Sequence, residues 1–233
     1  MSIGMVGVFV GLMTAGAVEG EGETEFRGYR TELIEGWKVQ ISEEVYEKGE
    51  EKGAQLIGVL QEKLGEVSKV LPEQRVKALR SVLIWVEFDD QASSPIVYHR
   101  SDRWLRRSGK NPAKAGGIEI CNVKQALYRI NRQPMVILHE LSHAYHHREL
   151  GLEEKIIREA YAGAMAAGLY AKVKKGNGDE LVAAYASRNA EEYFAELSEA
   201  YFGKNDYYPF NREELKKYDP DGYLMVSRLW LLR

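Results

Sequence analysis

Two histidines four residues apart, His139 and His143, follow the apolar run Met135-Val136-Ile137-Leu138. At 3.6 residues per turn the two rings share one face of a helix and can reach one ion. Glu140 faces the same cleft. Two neutral imidazoles beside a carboxylate that can take a proton from a metal-activated water are what zinc-dependent peptide hydrolysis needs. The spacing therefore predicts an amphipathic helix with a metal site on one side and Glu140 as general base.

Composition narrows the ligand chemistry. Cys121 is the only cysteine, so no internal disulfide and no thiolate cluster can form. The metal must be held by nitrogen and oxygen. The 233 residues are 45% hydrophobic and 29% charged, an ordinary globular balance. A net charge of -3 predicts no general attraction to nucleic acid or to anionic membrane.

Organisation follows from breaks in the pattern. Residues 1–17 carry no charge and end on Ala15-Gly16-Ala17, which reads as a signal peptide directing a secreted or periplasmic protein. Residues 18–28 read as an acidic, Gly-rich linker, and 29–233 as one catalytic domain with no other membrane span. Trp37, Val39 and Ile41 alternate as in a hairpin. Leu56, Ile57, Leu60, Leu64 and Val67 recur at helical spacing up to Leu71-Pro72, and Glu73 to Ser81 continues as a short helix. Val82 to Phe88 and Gly117 to Asn122 read as strands. Residues 93–112 read as irregular, with a short helix near Trp104. Helices are expected from Pro134 to about Leu150, from Glu153 to Val173, and from Asn189 to Gly203. A small mixed sheet followed by a mainly helical half predicts an α+β fold.

A catalytic zinc needs a third protein ligand. His147 cannot supply it, because ligands at i, i+4 and i+8 span about 12 Å of helix axis. His146 and His147 are expected to be solvated or to support the site from behind. Glu159 and the glutamates of Glu191-Glu192-Tyr193-Phe194-Ala195-Glu196-Leu197-Ser198-Glu199 are the alternatives. Glu192, Glu196 and Glu199 share one helical face, and like charges so placed need a cation or donors between them.

The pairing of His139-Glu140-x-x-His143 with Glu192-Tyr193-Phe194-Ala195-Glu196 about fifty positions later, and with Tyr185 seven residues before Glu192, resembles the catalytic domain of anthrax lethal factor and its relatives, including the Pro-Pro endopeptidases. The likeness covers about Ile118 to Phe202. It implies a gluzincin with a thermolysin-like zincin domain and one zinc per chain. It further implies Glu192 as the third ligand, and Tyr185 as the residue that stabilises the oxyanion. Substrate would be a peptide or protein, added as an extended strand to a sheet edge, for which Gly117, Ile118, Glu119 and Ile120 are the best candidate. Glu196 is then expected to accept a hydrogen bond from a ligand imidazole.

Two features have plainer readings. Arg100, Arg103, Arg106, Arg107, Lys110 and Lys114 form a basic stretch expected to be solvated, and Trp104 is expected to anchor packing. The rival classes are a catalytically inactive zinc-binding or interaction domain and a zinc hydrolase that does not act on peptides.

Overall fold

The computed structural model describes residues 28–90, 92 and 94–231. The expected signal peptide and all but the last residue of the expected linker lie outside them. The chain is a mixed α+β fold. Strands β1 (Tyr29–Ile34) and β2 (Trp37–Ser42) form the hairpin. Its two-residue turn, Glu35-Gly36, has φ of 51° and 89°. Positive φ at both positions matches the right-handed twist of the flanking strands. A side chain at Gly36 would also collide with the Arg80 guanidinium.

Helices α1 (Glu43–Lys48), α2 (Glu50–Val70) and α3 (Glu73–Leu79) then cross over to β3 (Ile84–Val86). Of the expected α2 stripe, Leu56, Leu60, Leu64 and Val67 are buried and Ile57 is half-buried, beneath a sheet face carrying Trp37, Val39 and Ile41. Strand β4 (Ile96–Tyr98) and helix α4 (Asp102–Arg107) lead to β5 (Ile118–Ile120). The sheet order is β1-β2-β3-β5-β4, with β2, β3 and β5 parallel and β4 antiparallel to β5.

This order corrects one expectation. The segment from Gly117 to Asn122 is not an edge, because β5 is hydrogen-bonded on both sides, to β3 and to β4. The edge belongs to β4, in a stretch the sequence reading left irregular. Three residues are too short for period-2 alternation to show, although Pro95 followed by Ile96-Val97-Tyr98 has the strand composition. The sequence reading also left unassigned helix α5 (Val123–Arg132), which Asn122 caps by accepting from Gln125 N–H at 2.9 Å.

The remaining elements are α6 (Val136–Tyr145), α7 (Lys155–Ala166), the short strand pair β6 (Val173–Lys174) and β7 (Leu181–Val182), α8 (Ala190–Phe202), α9 (Arg212–Tyr218) and α10 (Pro220–Leu231). The expected helix through the histidines stays regular to Tyr145 and continues as a wider π turn over His146–Leu150. Helices α6 and α8 are buried almost all round, as a central pair must be. Helix α10 closes over both. The Trp230 ring stacks on Tyr145 and Phe194, and its indole N–H donates to Ser198 Oγ at 3.0 Å. Tyr170 and Tyr193 both donate to the buried Asp219 carboxylate, at 2.9 and 2.6 Å, tying α8 to the start of α10. No described helix is long and apolar enough to cross a membrane.

His146 is neither solvated nor hydrogen-bonded to the site, the two alternatives expected for it. It is buried against Phe194, and neither ring nitrogen has a partner. Burial pushes its imidazole down to about 4. An unfolded histidine near 6.5 takes up protons that folded His146 refuses, so this contribution is intact above about pH 6.5 and lost as pH falls toward 4. The difference is worth roughly 3 kcal/mol. Urea denaturation in chelator should therefore show His146→Leu gaining on the parent protein as pH drops from 7 to 4.5. Parallel pH curves for the two proteins would refute this.

Candidate metal centre

Helices α6 and α8 bring the metal-binding groups together. Asn189 caps α8 by accepting from Glu192 N–H at 2.8 Å. That places Glu192 in the first turn, where the helix dipole favours a carboxylate. Glu192 Oε2 lies 3.2 Å from His139 Nε2 and 3.2 Å from His143 Nε2, and the two nitrogens are 3.1 Å apart. A tetrahedral zinc site with bonds of about 2.0–2.1 Å has ligand–ligand edges of about 3.3–3.4 Å. The triangle is within a few tenths of an ångström of that.

The donor chemistry agrees. His139 Nδ1 is 2.7 Å from Glu199 Oε1, deep in the interior. The carboxylate accepts from Nδ1–H and so leaves the Nε2 lone pair facing His143 and Glu192. Two nitrogen atoms and one oxygen thus converge on one point, and these buried and half-buried groups can hold a metal ion. The electrostatics show how tightly they are coupled. Burial alone would raise the Glu192 carboxyl, but hydrogen bonds to the two imidazoles outweigh it and hold the group well below the usual carboxylate range. Burial opposes charge on His139 too, and its hydrogen bonds to Glu192 and Glu199 carry it above the usual imidazole value.

Glu199 takes the place expected for Glu196. Glu196 Oε1 is 3.8 Å from His139 Nδ1, beyond hydrogen-bond reach. The shared helical face was legible in the sequence. Which carboxylate meets the ring depends on the crossing of α6 and α8, and seven residues from Glu192 brings the side chain round two turns to the Nδ1 side.

Glu140 lines the cleft beside the histidines, and its Oε2 accepts from the Tyr98 main-chain N–H at 2.7 Å. The carboxylate is thereby fastened to edge strand β4. Tyr185, in a short 3-10 turn (Tyr185–Ser187), comes to the same cleft, its ring centroid 6.2 Å from that of His139. The Arg188 guanidinium lies 4.2 Å from the Tyr185 ring centroid, and burial raises the phenol above its ordinary value. Tyr185 therefore keeps its proton at neutral pH and can donate.

The cleft has a volume of about 420 Å³. Its other wall is formed by β4 and the loop that follows it. Pro95 and His99 exchange main-chain hydrogen bonds with the β5 side, so strand alternation turns the main-chain groups of Ile96 and Tyr98 to the free edge. Tyr98 OH is 2.8 Å from His147 Nδ1, which ties that second histidine of the π turn to the edge strand. Gly117, Ile118, Glu119 and Ile120 do not line the cleft. Glu119 instead sits wholly buried behind it, 2.6 Å from His99 Nε2 and in an ion pair with Lys114. Burial would raise Glu119, but His99 and Lys114 pull its carboxyl far below the usual range.

The basic stretch is accordingly not a uniform solvated loop. Lys114 and Lys110 turn inward onto Glu119, and Arg100 pairs with Glu191 at 2.7 Å across the cleft mouth. Trp104 is no packing anchor either. It is 53% exposed and stacks on His99 at the cleft wall, with centroids 5.8 Å apart. Glu159, the competing ligand, is 65% exposed and pairs with Lys155, and among the described residues it joins no group that could hold a metal.

No protein-family model matches the chain, and no match to it was found among curated proteins or solved structures.

Proposed function

We propose that this chain is a zinc-dependent endopeptidase of the gluzincin group, with the thermolysin-like arrangement and lethal factor-like site that its motifs suggest. The observation that carries the proposal is the convergence of His139, His143 and Glu192 on edges of 3.1–3.2 Å, on the same cleft as Glu140 and Tyr185. Held by those three residues, zinc supplies Lewis acidity toward a water and toward the scissile carbonyl. Glu140, steadied by the Tyr98 N–H, takes the proton of the attacking water and hands it to the leaving amine. Tyr185 donates a hydrogen bond to the oxyanion. Glu199 fixes the tautomer and orientation of His139. The outward main-chain groups of β4 other than the Tyr98 N–H, given to Glu140, and the Ile96 C=O, which accepts from Ser94 Oγ, pair with an extended substrate, and main-chain pairing of that kind gives affinity with little sequence preference. Export, suggested by the uncharged start of the chain, belongs to the same proposal.

The deciding experiment is incubation of zinc-loaded protein with a mixed peptide library and mapping of the products. Internal cleavage that stops with a chelator and returns with one equivalent of zinc per chain is expected. Folded, zinc-loaded protein that cuts no peptide would overturn the endopeptidase reading.

Tyr185→Phe keeps the ring and removes only the donor. It should lower kcat by about 10²–10³, corresponding to about 2.7–4 kcal/mol of transition-state stabilisation, with zinc content unchanged. Parent-like kcat in this variant would take Tyr185 out of the mechanism.

A further inference from the structure

The five-stranded sheet has two edges. Strand β4 stands at one of them, on the cleft. Strand β1 stands at the other, and the proposed reaction makes no use of it. It is six residues long, against three for β4. Long edges are usually covered, or blunted by proline, a bulge or a row of charges, because their unpaired main-chain groups recruit another strand. Tyr29–Ile34 contains no proline, and its register with β2 runs without a bulge. Leu33, 73% exposed, is the most exposed large apolar side chain among the described residues.

The hairpin fixes which main-chain groups are free. Its two-residue turn makes Ile34 and Trp37 the closing hydrogen-bonded pair. Alternation then gives the main-chain groups of Arg30, Glu32 and Ile34 to β2 and turns those of Tyr29, Thr31 and Leu33 outward. The bond from Glu43 N–H to Gly28 C=O, at 3.0 Å, continues the same phase. Among the described residues, no other strand or loop hydrogen-bonds to the outward groups. The side chains of Tyr29, Thr31 and Leu33 share one face of the sheet. Arg30 and Glu32 lie on the other, where the Tyr46 hydroxyl donates to Glu32 at 2.5 Å and the Arg30 guanidinium sits 4.4 Å from the Tyr46 ring centroid.

We infer that β1 docks β1 of a second copy of this chain, antiparallel, about a two-fold axis at Thr31. That axis sets Thr31 against itself, Tyr29 against the copy's Leu33 and Arg30 against the copy's Glu32. The three outward residues then face one another, and each facing pair exchanges two main-chain hydrogen bonds. On one face the exposed Leu33 is laid beside the copy's Tyr29. That ring is already fixed by a hydroxyl bond to Glu87 at 2.6 Å and by an edge contact with Trp85. On the other face cation meets anion on both sides of the axis. Aromatic–apolar and opposite-charge pairs are the ones that stabilise facing strands. Centring the axis on Arg30 or Glu32 would present groups already bonded to β2. Centring it on Tyr29 or Leu33 would run part of the ladder off the strand and separate Arg30 from Glu32. The interface is isologous, as a two-fold requires. It joins the two sheets at β1 and leaves both β4 edges and both clefts open. The inference stands whether or not the chain cuts peptides.

The test is sedimentation equilibrium of the full chain from about 5 µM to about 500 µM, because strand pairing of this length makes a small interface of the weak class. Monomer at the low end and dimer at the high end are expected. Arg30→Glu and Glu32→Arg each set like charges against each other, and each should raise the dissociation constant roughly tenfold. An equimolar mixture of the two variants should associate as the parent does, since the mixed dimer again has opposite charges at both positions. Thr31→Pro removes the N–H at the axis without touching a bond to β2, and proline is tolerated on an edge strand, so this variant should stay monomeric. Far-ultraviolet circular dichroism checks that each variant is folded. The inference is overturned if the parent is monomeric throughout, or if Thr31→Pro and both charge variants associate as the parent does. If Thr31→Pro fails to fold, the mixture decides. Association no stronger in the mixture than in either variant alone overturns the pairing about Thr31.

Discussion

Replacing Glu140 by Gln should abolish peptide hydrolysis by several orders of magnitude while leaving one zinc per chain. The substitution keeps the size of the side chain and its acceptor oxygen for the Tyr98 N–H, and Glu140 is not among the three atoms that converge on the metal point. What it removes is the basic carboxylate. General acid–base catalysis typically contributes about 10²–10⁴-fold for a single proton transfer. Glu140 is assigned two such transfers, from the water and to the amine, so the loss should lie at or beyond the upper end of that range. Zinc content by metal analysis and single-turnover hydrolysis, measured on the same preparation, check both halves. Loss of zinc together with activity would make Glu140 a structural or ligating residue. Retained zinc with near-parent turnover would leave the reaction without its base and sink the mechanism.

The second large effect concerns the ligands. Glu192→Ala should weaken zinc far more than any other single glutamate substitution, because it removes one of three converging atoms and leaves two histidines on one helix. Glu199→Gln should cost roughly 10–100-fold in zinc affinity, since it withdraws the carboxylate that orients His139 from 2.7 Å. Glu159→Ala should change nothing, because that side chain is out in solvent with Lys155. Competition of each variant against a zinc-sensitive dye gives the order directly. If Glu159→Ala strips the metal while Glu192→Ala keeps it, the α6–α8 centre is not the zinc site. If Glu199→Gln is silent, the ring is held by something other than that hydrogen bond.

The sequence was most legible where spacing within one element carries the information. His139 and His143 had to share a face because they are four residues apart on a helix, and the α2 stripe had to be buried for the same reason. Asn189 in front of Glu191-Glu192 marked the start of α8, since a side-chain oxygen there accepts the orphan N–H of Glu192. The hairpin was marked by the alternation of Trp37, Val39 and Ile41.

Relations between elements were not legible in this way. Strand β5 reads as a strand in the sequence, but its place inside the sheet depends on Ile96–Tyr98 pairing outside it, a long-range choice with no local mark. Glu196 and Glu199 lie on nearly the same face of one helix, and only the crossing of α6 and α8 decides that Glu199 meets His139 while Glu196 stops at 3.8 Å. Trp104 and Lys114 show the same limit in opposite directions. The aromatic residue came out to the cleft wall, stacked on His99, and the lysine went in, because the buried charge of Glu119 had to be met by a cation. The sequence by itself determined which residues could bind a metal and on which helices they ride. Tertiary structure alone decided which carboxylate does which task and which strand stands free, because hydrogen bonds and charge pairing across elements act over a few ångströms, and only packing brings distant residues that close.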